Sequence, residues 1–159
     1  MDLRRLRIGE WAVAAVGLLL LLALFLPWYE MAGVSVNAWE SFSVTDVILA
    51  VLAIAAIAVV PVAARAPTPS PAIAHETLTL LASLVAVPVV LFRVLDPPGG
   101  GLSRAAGAYT GLLCVIGLVA ASLIAMRDER LSSPGNLTDP TGVPVAAAPE
   151  METLPAPRC

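Results

Sequence analysis

Charged side chains are missing from four long stretches of this chain, and that spacing constrains its fold more than any other feature. Nineteen uncharged residues separate Glu10 from Glu30, 18 separate Asp46 from Arg65, and 22 separate Arg104 from Arg127. A bilayer core of ~30 Å takes ~20 apolar residues as helix, so each of these gaps is a span. The fourth gap, Glu76 to Arg93, holds 16 residues. It reaches span length once its end charges sit at the interfaces, where long side chains extend to water. With 58% hydrophobic and 13% charged residues and a mean hydropathy of +0.88, a soluble domain is implausible. The chain reads as an all-α membrane protein, a four-transmembrane-helix bundle over 1–130 with spans about 8–26, 44–64, 72–95 and 105–126. Residues 131–159 hold six prolines and no apolar stripe, and read as a disordered, Pro-rich cytoplasmic tail.

Orientation follows from the arginines, since all nine basic residues are arginine. With the N-terminus inside, Arg4, Arg5, Arg7, Arg65, Arg127, Arg130 and Arg158 face the cytoplasm, and only Arg93 and Arg104 face out. A signal peptide also begins with basic residues. Here the apolar run is too long for one, and LPWYEMAG offers no small-x-small cleavage site. Both termini are therefore expected in the cytoplasm. Arginine without lysine, in a chain rich in Ala, Gly and Pro, reads as the codon habit of a GC-rich genome.

The outward stretch Leu24 to Asp46 is the most structured connector. Pro27 ends the first span, and Trp28 and Tyr29 are expected at the interface, where amphipathic rings are favoured. Tyr29 to Trp39 alternates around Ala32-Gly33, compatible with a small β-hairpin. Ser43 with Asp46 three residues on forms a capping signature for the second span. Asp96 to Ser103 is a second outer loop.

Enzyme chemistry finds little material. Cys114 lies mid-span and Cys159 ends the tail, so the pair suits neither a disulfide framework nor a membrane thiol oxidoreductase. His75 is the sole histidine; beside Glu76 it reads as a polar collar. No phosphate loop or nucleophile elbow occurs, the net charge of −3 suggests no nucleic acid, and no cofactor or metal is expected. The candidate interaction residues are Trp39, Phe42 and Asp46, whose spacing would put them on one helical face. They form either a docking surface for lipid or a partner, or an interface belt plus a helix cap. Arg93 is expected to reach Asp46 across the helices, with Asp96 or Tyr109 as competing partners. Ser103, Gly107 and Gly111 in the last span, with Gly117 and Ala121, make a small-residue face suited to close packing within the chain or to a homo-oligomer.

The runs LPWY and VSVNAWESFSVTDVILAVLAIAAIA, with RVLDPP from Arg93 to Pro98 and the later GAYTGLL, resemble uncharacterised small four-span membrane proteins of actinobacterial type. The resemblance covers the spans but not the tail. It implies the architecture and a GC-rich bacterial source, and with it a bacterial plasma (inner) membrane location, and it brings no activity, cofactor or catalytic residue. The outer aromatic loop is also similar in topology to claudin-like proteins, but it lacks their paired loop cysteines. The sequence thus points to a non-enzymatic structural or accessory membrane protein; alternatively, to a small oligomeric transporter or channel subunit.

Overall fold

The computed structural model describes residues 8–42, 44–65, 70–99 and 101–130; the tail from 131 onward and the capping residue Ser43 lie outside them. In chain order the elements are α1 (Ile8–Ala23), β1 (Pro27–Met31), β2 (Val34–Asn37), α2 (Ala38–Ser41), α3 (Thr45–Arg65), α4 (Ser70–Leu95), β3 (Ser103–Arg104) and α5 (Ala106–Arg130). Three helices are long and apolar enough to cross a membrane, over Thr45–Arg65, Ile73–Leu95 and Ala106–Arg127. α1 is equally apolar but has only 16 residues, about 24 Å at helical rise. α1 and the three longer helices pack as a ring, with α1 on α3 and α5, and α4 on α5 and α3.

α1 stops three residues before the expected boundary, for a local reason. Pro27 has no N–H to extend the helix. Phe25 and Leu26 instead bond back three residues to Leu22 and Ala23, and the Trp28 indole Nε1 donates to the Ala23 carbonyl at 2.8 Å. The helix end is thus closed by the first strand.

The hairpin is present. β1 and β2 pair antiparallel around Ala32 and Gly33, whose φ values of 51° and 82° are both positive, as a two-residue type I′ turn requires. A third strand, β3, adds to the other edge of β1 and gives the order β2-β1-β3. The register slips between Pro27 and Tyr29. That bulge lets two consecutive residues, Trp28 and Tyr29, both turn into the core. They are fully buried, whereas the sequence placed them as interface rings. A belt residue and a core residue look alike next to a helix end; the bulge decides between them.

Candidate functional site

The sheet end of the bundle is built around the last turn of α4. A helix leaves its final carbonyls without intrahelical partners, and here each of the last four is taken. The Asp96 N–H donates to Phe92 O at 2.7 Å. The Tyr29 hydroxyl donates to Arg93 O at 2.8 Å. Arg104 donates through Nε to Val94 O and through its terminal nitrogen to Leu95 O at 2.8 Å. A guanidinium at a helix C-terminus also meets the negative end of its dipole. β1 and β3 therefore act as the cap of α4, which is why so short a sheet is held in place.

Trp28, Tyr29 and Phe42 fill the space beneath the sheet. Phe42 meets the Trp28 ring edge to face at 5.3 Å and the Tyr29 ring at 5.9 Å, a geometry that aromatic quadrupoles favour. The Arg93 guanidinium stands over the Phe42 ring, 5.1 Å from its centroid.

The candidate residues do not share one helical face. α2 ends after Ser41, Phe42 is extended (φ −120°, ψ 154°), and α3 restarts at Thr45. Trp39 consequently points out, 38% exposed and 6.0 Å from Phe25, while Phe42 points in at 6%. Asp46 is buried at 5%, and its Oδ1 has no hydrogen-bond partner among the described residues.

Nor does Arg93 form the expected ion pair with Asp46 among the described residues. Its terminal nitrogen reaches the preceding residue, Thr45 Oγ1, at 3.5 Å. One residue is about 100° around a helix, and that step turns Asp46 inward beside the buried Leu49, Ala50 and Ala53. The rival partners are not engaged either: the Asp96 side chain is exposed, and Tyr109 faces outward on α5, half exposed. Three residues that sequence reasoning gave no structural part hold the sheet end together. Asn37 and Glu40 form a reciprocal capping box on α2, readable from the N-x-x-E spacing. Arg104 was legible only as a charge.

The small-residue face of α5 is used within the chain. A Cβ on Gly107 would lie 2.5 Å from Pro27 O, and one on Gly111 would lie 2.5 Å from Trp28 Cζ2. Both glycines are seats for β1. No protein-family model, curated protein or solved structure matches the chain. Its chemistry is therefore read from its own side chains. Among the described residues no three His, Cys, Asp or Glu gather as a metal site would need. Besides Thr45 and Asp46, the buried polar side chains of the long helices are Glu76, Thr79 and Ser83 of α4 and Ser122 of α5. Thr79 and Ser83 donate back to their own helix, and His75 Nε2 donates across to Ala55 O at 2.8 Å.

Tyr29 supplies a pH test of this cap. Burial pushes its phenol above the usual value of 10, although Arg93 and Arg104 pull it down. The neutral, donating phenol is therefore favoured in the folded chain. Its contribution is complete below about pH 10 and is lost as pH rises from there through the higher folded value. Tyr29→Phe should cost about 1 kcal/mol at pH 7. Relative to wild type, the variant should lose less stability above pH 10 in equilibrium unfolding.

Proposed function

We propose that the chain is a four-span bacterial plasma-membrane protein acting as a non-enzymatic structural or accessory component, which docks a membrane-protein partner through its sheet end. The observation that carries this reading is the sheet end itself. The seated sheet presents Met31 and Val34 outward, and the segments that flank it present Phe25 and Trp39, all exposed. Exposed apolar groups on a fixed frame are what a docking surface needs. Ile8 to Leu26 is an uninterrupted stretch of low charge, so the tight turn after α1 extends its apolar length toward that of a span.

A photo-crosslinking residue placed at Val34 in the full chain, irradiated in native membranes, tests this. A discrete adduct with a larger membrane protein is the expected result. A ladder of self-adducts alone would instead favour the second reading, an oligomeric transporter or channel subunit, for which the buried Glu76, Thr79, Ser83 and Ser122 are the supporting observation.

The arginine distribution puts the sheet end outside. In a background carrying Cys159→Ser, an impermeant thiol reagent added to intact cells should label Ser35→Cys and leave Thr68→Cys unlabelled. The reverse pattern would invert the topology.

A further inference from the structure

The end of α5 furthest from the sheet carries a cation that the fold itself does not use. Arg127 closes Ala106–Arg127, the stretch of α5 long and apolar enough to cross a membrane. In a helix each Cα–Cβ bond tilts toward the N-terminus, so a side chain lies over the turn before its own. Arg127 accordingly lines a groove with Leu123, Ile124 and Met126 of α5 and with Leu80 of α4. The groove holds about 450 Å³, within the range of small-molecule sites. Apart from the arginine, every side chain that lines it is apolar. Leu123 and Ile124 are each 50% exposed, so the groove opens away from the bundle core.

Arg127 is exposed, and among the described residues no carbonyl or carboxylate accepts from its five N–H donors. The arginines at the sheet end differ. Arg104 is spent on the α4 carbonyls, and Arg93 lies over Phe42 and against Thr45. Nearby carboxylates do not enter the groove. Glu76, four residues before Leu80 on α4, is buried and lines no part of it. Asp128 and Glu129 occupy helix positions about 100° and 200° around from Arg127, whereas Arg130 comes back to within about 60° of it. By register, then, the groove side of this helix end is basic. Cation and slot are also stacked in a definite order. Arg127 ends the span, and Leu123 lies one turn, about 6 Å, toward its middle. A lipid places its phosphate at the interface and its hydrocarbon toward the bilayer centre, in the same order. Basic pockets between spans take anionic head groups, and a guanidinium meets a phosphate with two parallel N–H···O bonds.

We infer that the α4–α5 groove is a site for one anionic phospholipid, with its phosphate on Arg127 and an acyl chain along Leu123, Ile124 and Leu80. The arginine that lines the apolar groove names the occupant. A free phosphate would leave the groove empty, and a second copy packing its apolar spans there would leave the guanidinium unmatched. The inference rests on α4 and α5 lying in a bilayer. It needs no protein partner, so it stands or falls separately from the docking reading.

The test uses the full chain, purified in mild detergent and exchanged against phosphatidylglycerol or against digalactosyldiacylglycerol, which has matched chains but no phosphate. Native mass spectrometry counts the lipid retained. One phosphatidylglycerol per chain and little glycolipid are expected. Arg127→Gln should reduce retention about tenfold or more, the loss of one charge-assisted contact, and Arg127→Lys should retain an intermediate amount because it keeps the charge without the fork. Arg65→Gln is the control. Arg65 stands in the last turn of α3 and does not line the groove, so its loss should leave retention unchanged. A general attraction of lipid to basic helix ends would weaken equally in both variants. Ile124→Trp, which narrows the groove and leaves the arginine in place, should also release the lipid. Equal retention of the glycolipid, unchanged retention in Arg127→Gln, an equal loss in Arg65→Gln, displacement by inorganic phosphate alone, or a lipid-free dimer as the sole species would each overturn the assignment. If Arg127→Gln does not fold, judged by its melting temperature, Ile124→Trp and the comparison of the two lipids decide it.

Discussion

Replacing Trp28 by alanine should lower the unfolding free energy by about 3–5 kcal/mol, as a fully buried large side chain does when its cavity cannot collapse. Collapse is blocked on every side. The indole lies between the Phe42 ring edge and the backbone of α5 at Gly107 and Gly111, and its Nε1 holds the last carbonyl of α1. The substitution therefore removes packing together with one of the two donors to the Ala23 carbonyl, leaving it the Leu26 N–H. Equilibrium unfolding in mixed micelles reads the loss. A paired variant isolates the contact with α5. Gly111→Ala alone should cost about 1–3 kcal/mol, because its methyl would meet a caged ring rather than the free end of a flexible side chain. In the Trp28→Ala background the same methyl enters the vacated space and should cost far less. Additive losses would mean that the indole and Gly111 do not share one packed volume.

The contrast between these residues and the spans shows what the sequence could convey. Charge-free gaps disclosed α3, α4 and α5 because span length is a property of one continuous segment. The hairpin was visible for the same reason, since alternation and a two-residue turn are local. Burial of Trp28 was not visible. It depends on a bulge in β1 and on two glycines about 80 residues away, and a tryptophan after a helix end suits a lipid interface equally well. β3 is two residues long, too short for any period to show. The Arg93 partner was missed by one position, because a choice between Thr45 and Asp46 needs the rotational phase of α3. That phase follows from the break at Phe42, and a continuous apolar sequence gives no sign of it. At the candidate site, then, the residue types were legible and their directions were not.

The same limit bears on the glycines, and a pair of identical substitutions with opposite outcomes exposes it. In sequence, Gly17 and Gly117 are both glycines in the interior of apolar helices. In the fold, Gly17 marks a close approach of α1 to α3: an added Cβ would lie 2.6 Å from the Ala56 methyl and 3.0 Å from the Ala53 carbonyl oxygen. Neither neighbour can rotate away, one being backbone and the other a methyl fixed to it. Between helices in lipid, association rests on such close packing rather than on removal of apolar surface from water. Gly17→Ala should therefore separate the helices and cost about 1–3 kcal/mol, and Gly17→Leu should cost more. A Cβ on Gly117 would meet Val16 Cγ1 at 3.6 Å, an ordinary van der Waals contact. There the methyl adds packing and restricts the unfolded backbone, so Gly117→Ala should be neutral or stabilising by up to about 1 kcal/mol. Unfolding of both variants in the same micelles gives the comparison. If both shift stability in one direction, the α1–α3 approach is not the tight contact that holds α1 in the ring.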